Sequence, residues 1–221
     1  KAKKFIVYFQ SFTNTYAPLS TLKALYEKAL SFDDVIGLSI GTRTDCVTDE
    51  ILDFLYEKSK EKEIWIEYGI QSFFQTTLDK INRADNIENM RYWIKRTKDK
   101  GLNVCGHLIY GLPDENQEMM LETFKQTIDL KVDSIKFHPL YVVKNTLLTN
   151  EFKKGRFTPI SEELYIDTVV KSIINLPQNV SVQRVTAGID DDTLLSPLWC
   201  KNKHQQMKNI RIALEEEGFI Y

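Results

Sequence analysis

Glu67, His107 and His138 are the side chains whose type and setting point to chemistry. Each lies in or at the end of an apolar run: WIEYGIQ, NVCGHLIYG and SIKFHPL. A polar group inside such a run needs a partner, because an unpaired buried one costs about 1–3 kcal/mol. A carboxylate and an imidazole at strand ends can act as an acid and base pair. Just after Glu67 come Gln71, Ser72 and Arg83. This amide, hydroxyl and guanidinium together suit a small polar ligand. The structural alternative is that Glu67 pairs locally, Arg83 caps its helix, and each histidine bonds a backbone carbonyl. Neither histidine has metal-ligand spacing. Cys46, Cys105 and Cys200 are odd in number and far apart, so neither a disulfide framework nor a metal motif is visible. Cys105 reads as a small buried residue and Cys46 as a loop residue. No Ser/His/Asp or Cys/His nucleophile pair is present.

The elements that must position these groups follow from periodicity. Short apolar runs at 4–10, 34–40, 63–67, 102–110, 134–140 and 180–185 read as strands. Between them lie helical stripes: Leu19, Leu22, Leu25, Tyr26, Ala29 and Leu30, for example, or Met90, Trp93, Ile94 and Thr97. Thr48, Asn86, Asn116 and Ser161 stand where caps belong, and Gly101 where a helix should end. The segment after residue 140 reads as a long irregular loop. The tail from Ser196 to about Glu217 reads as a helix with Met207, Ile210 and Leu214 on its inner face. A strand–helix repeat of five or six units calls for a parallel α/β sheet. An eight-stranded barrel usually takes about 250 residues, and this chain has 221. The expectation is therefore a partial (β/α)6 barrel over residues 1–195 with a helical extension over 196–221; a flat doubly wound sheet is the alternative. In either, ligands bind at the C-terminal strand ends. Gln10, Thr13 and Asn14, then Gly41, Thr42 and Arg43, then Gln71 and Ser72, all follow strands, as does Gly111-Leu112-Pro113. No G-x-G-x-x-G or G-x-x-x-x-G-K-[ST] loop follows any strand, against dinucleotide and P-loop binding.

The totals narrow the class further. A hydrophobic content of 43% supports a packed core, and a net charge of −2 argues against a general nucleic-acid surface. The basic cluster Lys95, Arg96, Lys98 and Lys100 reads as a solvated helix face. No apolar run approaches the ~20 residues of a membrane span, and no signal peptide is visible, so a cytoplasmic protein is expected.

GIQSFFQTTLDKINR and GHLIYGLPDEN, one βα unit apart, resemble the G-x-Q-S…L…I-N-R and L-I-x-G-L-P motifs of radical S-adenosylmethionine (SAM) enzymes. The similarity is to the branch holding oxygen-independent coproporphyrinogen oxidase and the Elongator catalytic subunit. YFQSFTNTYAP, LSIGTRTDC and QRVTAG…SPLW narrow it to the YhcC-like subfamily, whose substrate is not established. The resemblance covers nearly the whole chain. It implies a partial barrel holding SAM and a 4Fe-4S cluster, an electron donor of flavodoxin or ferredoxin type, and hydrogen abstraction by a 5′-deoxyadenosyl radical.

The resemblance also implies roles for individual residues. The Gln10–Thr15 loop would meet the SAM amino group through Gln10, Thr13 and Asn14, in place of the usual two glycines. Gln71 would meet the ribose, Arg83 the carboxylate, and Gly111 to Pro113 the adenine. The sequence departs from the pattern in three ways. Gly41-Thr42-Arg43 stands where relatives often place a glutamate, and His107 where the coproporphyrinogen branch has an aspartate. The C-x3-C-x2-C cluster loop is absent. Since the chain begins at Lys1 with the YFQ strand, the expectation is that the loop lies upstream and that this polypeptide by itself is inactive. The competing expectations are an iron-independent barrel lyase or isomerase using Glu67 and His107, and a non-catalytic barrel binding a partner or RNA.

Overall fold

Alternation along the strands sorts the central sheet into two chemically different faces. In β2 (Val35–Thr42) and β3 (Glu63–Gln71), Leu38, Ile40, Ile64, Ile66, Tyr68 and Ile70 are at most 1% exposed. Their intervening neighbours include Ser39, Glu67 and Gln71. In β4 (Asn103–Tyr110) the same alternation sets Val104 and Leu108 against Cys105 and His107. One face is thus uniformly apolar, while the other carries ionisable groups at intervals.

The computed structural model describes residues 2–219. The remaining elements are α1 (Leu19–Leu30) after β1 (Phe5–Phe9), α2 (Asp49–Ser59), α3 (Gln75–Lys80), α4 (Ile87–Asp99) and α5 (Gln117–Asp129), then β5 (Ser134–Pro139), β6 (Val142–Val143), α6 (Leu147–Lys153), α7 (Glu162–Ile174), β7 (Ser181–Arg184), β8 (Leu194–Ser196) and α8 (Lys203–Glu216). The six-stranded sheet has the order β1-β2-β3-β4-β5-β7, and β6 pairs with β8 separately. β1 to β3 are parallel, with Ile40 opposite Ile66 and Gly41 opposite Glu67.

The helix starts follow the capping residues. Thr48, Asn86 and Ser161 accept from Ile51, Asn89 and Leu164 backbone N–H groups, and Asn116 accepts from Met119 at 2.9 Å. Gly101 ends α4 at φ +83°.

Several expectations are corrected. The stretch after residue 140 is not irregular: it forms β6 and α6, the latter capped by Thr146. The tail becomes helical only beyond Ser196, which pairs with Val142 across the small antiparallel sheet; a 3₁₀ turn over Leu198–Lys201 comes first, and α8 begins at Lys203. Its inner face holds Gln206, Ile210 and Leu214, spaced four apart, which leaves Met207 45% exposed. Gln206 is tolerated there because its amide bonds Thr186 and, at 2.9 Å, the Trp199 carbonyl. Leu25 likewise points outward, 50% exposed.

The chain forms two compact units. One runs to Ile70 and adds Asp85–His107 and Asp129–Ser134; the other takes Gln71–Ala84, Leu108–Ile128 and everything from Ile135. In the first, Leu22, Tyr26, Leu52, Leu55, Met90 and Ile94 pack on the strands. In the second, Tyr110 stands against Phe137 at 5.4 Å and bonds Ser172 at 2.7 Å.

Candidate functional site

In the first unit the polar sheet face centres on Glu67. Its side chain is 1% exposed, Ser39 donates to one carboxylate oxygen, and His107 Nε2 lies 2.6 Å from the other. His107 is therefore paired with a carboxylate from the neighbouring strand. The Cys105 thiol belongs to the same group, since its sulfur and donor atoms of Glu67 and His107 all lie within 4.8 Å of one another. Sequence spacing gave no hint of this trio because Glu67 comes from the neighbouring strand. The Cys-x-His pair on one strand face is the signal that could have exposed it.

The strand-end loops of this unit are tightly tied. Asn14 donates from Nδ2 to the Phe9 and Gly41 carbonyls, both at 2.9 Å, and so stitches the ends of β1 and β2 together. Thr42 shares a 2.5 Å hydrogen bond with buried Thr15. Arg43 forks onto Asp45, with Nε at 2.7 Å. Burial works against the Asp45 charge, yet the guanidinium holds its carboxyl below the usual range. Thr13 is half-buried, while Gln10 is exposed. Thr44 and Asn89 both donate to buried Asp85, anchoring the start of α4.

In the second unit the residues after β3 are held in uncommon conformations. Gln71 has φ +70°, a costly left-handed geometry for a residue with a Cβ, and its buried Oε1 has no hydrogen-bond partner. Ser72, fully buried, donates to Glu115 and accepts from Phe74 N–H at 3.1 Å. Phe73 N–H is fixed to Thr123 at 3.1 Å.

Glu115 arrives through the GLPDE turn. Pro113 and Asp114 (φ +66°) fill the middle of a type II turn closed by Glu115 N–H on Leu112 O at 3.1 Å. Gly111 has φ +88°, and a Cβ there would stand 2.8 Å from Ile160. Burial raises the Glu115 carboxyl, against the pull of hydrogen bonds from Ser72 and Thr77.

Arg83 lies beyond α3, not at its end. Asn82 adopts φ +55°, Asn82 N–H bonds Asp79 O at 3.0 Å, and Arg83 N–H bonds Leu78 O at 2.8 Å. This is a Schellman closure, so the Asn of the INR motif is the left-handed residue that delivers the arginine. His138 rests on the Pro139 carbonyl at 2.7 Å and meets Tyr141 at 3.0 Å.

Three of the four basic residues at the end of α4 are paired in place. Arg96 bonds Asp49 at 2.8 Å, Lys98 bonds Asp133 at 2.5 Å, and Lys100 bonds Asp53. Cys200 is fully buried, its thiol pushed up to about 12 by burial, and burial also raises Cys46. Among the described residues no three thiols form a ligand group, so the cysteines present do not fit a 4Fe-4S cluster. The donor set fits SAM better, as the orphaned Gln71 acceptor is suited to a ribose hydroxyl. Among the described residues no helix is long and apolar enough to cross a membrane.

Comparison with known proteins agrees with this picture. Residues 1–127 match the Radical SAM superfamily and residues 132–216 the Radical_SAM C-terminal domain. Protein YhcC of Escherichia coli is 37% identical over 219 residues, covering 99% of this chain and 71% of that protein. The uncharacterized protein YtqA of Bacillus subtilis is 36% identical over 218 residues, 99% of this chain and 68% of YtqA. The structure of Elp3 from the archaeon Methanocaldococcus infernus superimposes with a TM-score of 0.84 at 20% identity, over 99% of this chain and 55% of that one. The chain thus spans about half of the Elp3 structure, and the likeness gives it the partial parallel barrel fold. Family membership brings with it SAM and a 4Fe-4S cluster as the cofactors of the class. The chain belongs to the radical SAM superfamily, among its YhcC-like members.

Proposed function

We propose that this chain is the SAM-binding portion of a radical SAM enzyme, with Gln71 and Arg83 as its principal cofactor contacts. The observation that carries the reading is the buried, unpartnered Oε1 of Gln71 on a left-handed strand-end residue. Strain and an orphaned acceptor at one position are retained where a ligand rewards them. Gln71 would accept from the SAM ribose, and the Arg83 guanidinium would fork onto the methionine carboxylate. Gly111 to Pro113 would line the adenine. Ser72 and Glu115 would hold that turn without touching the cofactor. In the first unit both Nδ2 hydrogens of Asn14 are spent on strand carbonyls, and Thr42 and Arg43 are engaged with Thr15 and Asp45.

SAM supplies a 5′-deoxyadenosyl radical on one-electron reduction in this class; the residues here bind and orient it and exclude water. Calorimetric titration of the chain with SAM tests the binding. Saturable binding that Gln71→Ala and Arg83→Met each weaken at least about tenfold, or ~1.4 kcal/mol, is expected. The intact protein, reconstituted anaerobically with iron and sulfide, should release 5′-deoxyadenosine with SAM and dithionite. Neither binding nor deoxyadenosine would leave the iron-independent reading through Glu67 and His107.

A further inference from the structure

We propose that Glu67, Cys105 and His107 form a binding site for a divalent transition-metal ion of the zinc class. Their donor atoms, a carboxylate oxygen, a sulfur and an imidazole nitrogen, lie within 4.8 Å of one another, and among the described residues this is the one such grouping. Cys105 and His107 sit two apart on β4 and so share a face. Glu67 reaches them from β3. A mixed carboxylate, thiolate and imidazole set suits zinc, with three protein ligands and one position left for a further group.

Charge favours the same conclusion. Glu67 is 1% exposed and Cys105 fully buried. A buried carboxylate is costly to hold in a low dielectric, and a divalent ion bonded directly to it offsets that cost. A 2+ ion held by one carboxylate, one thiolate and one neutral imidazole gives a site of zero net charge. In forming it, Cys105 loses its proton to solvent and the sulfur–metal bond takes its place; nothing is oxidised or reduced. Ser39 holds the Glu67 oxygen that does not face His107, the orienting contact that metal-bound carboxylates use. His107 Nε2 and Glu67 Oε2 stand 2.6 Å apart. With metal bonds of about 2.0–2.2 Å they would separate to roughly 3.3 Å, a small swing for a histidine whose side chain is 19% exposed. This inference does not rest on the SAM reading.

Cobalt(II) is the probe. The chain, stripped with chelator and given no iron or sulfide, is titrated with Co²⁺ and followed by absorption. One equivalent should bind with a thiolate-to-cobalt charge-transfer band that Zn²⁺ abolishes. Cys105→Ser should remove the band, His107→Asn should weaken binding at least tenfold and shift the visible bands, and Cys46→Ser should change neither. Melting curves without metal show which variants fold; if Cys105→Ser does not, the His107→Asn shift decides. Absence of a thiolate band in the parent chain overturns the proposal. So does a band that survives Cys105→Ser or disappears in Cys46→Ser, since the metal would then sit on another thiol. SAM calorimetry on the same sample keeps the two readings separable, because either can fail alone.

Discussion

Burial and hydrogen bonding pull the Glu115 carboxyl in opposite directions, and burial wins. Its pKa lies above the ordinary 4.5. A carboxyl raised on folding favours the protonated folded form, so its contribution to stability is fully present below the unfolded value and is lost as pH rises through the folded one. Glu115→Gln keeps the shape and the acceptor for Ser72 but does not titrate. The expected outcome is that stability relative to Glu115→Gln shifts toward the parent chain as pH falls from about 7 to about 4. Urea unfolding at both values measures it, and a difference independent of pH contradicts it. Gly111→Ala should be harsher, because a left-handed φ and a 2.8 Å approach to Ile160 coincide. A loss of at least about 2 kcal/mol is expected in the same assay.

At the scale of elements, α3 is only six residues long, and it needs its closure more than a longer helix would. Asn82 supplies the closure by adopting the left-handed conformation. Asn82→Gly should leave unfolding free energy nearly unchanged, whereas Asn82→Ala should cost about 1 kcal/mol. Arg83 is positioned by the same turn, so SAM affinity should fall in the alanine variant and survive in the glycine one. Calorimetry separates these outcomes; equal affinities would show that the turn does not position the arginine. The cap at the start of α4 belongs to the same connection, and Asn86→Ala should cost about 1 kcal/mol through the lost bond to Asn89 N–H.

Over the whole molecule, apolar side chains stand in the open on β1, the first strand of the described sheet. Phe5 is 50% exposed, Ile6 and Tyr8 each 38%, and Phe12 nearby 99%. Exposed apolar side chains grouped along one strand favour association with other chains. Light scattering should therefore show association that grows with concentration and is reduced by Ile6→Lys. A monodisperse monomer at every concentration would remove the point. Three of the four residues in the basic cluster, Arg96, Lys98 and Lys100, by contrast, face Asp49, Asp133 and Asp53.

The order of the longer strands and helices is legible in the sequence, because two- and 3.6-residue periodicities and caps such as Thr48, Asn86 and Ser161 are local. Family membership is legible there too, since the IQS, INR and GLPDE segments are contiguous. Their physical meaning is local as well: Asn82 and Asp114 are each the left-handed residue of a turn, and Gln71 is left-handed at the end of β3. Partnership was decided only by the tertiary structure. Glu67 meets His107 40 residues away, and Ser72 meets Glu115 across 43, because strand pairing and turn geometry bring distant residues together. The errors have the same origin. β6 was read as loop and β8 as part of the tail helix, because a two- or three-residue strand has no period to detect and exists only through its partner. The apolar pattern sets Met207 inward, because a polar Gln206 can occupy a core only when hydrogen bonds from Thr186 and to the Trp199 carbonyl are waiting for it.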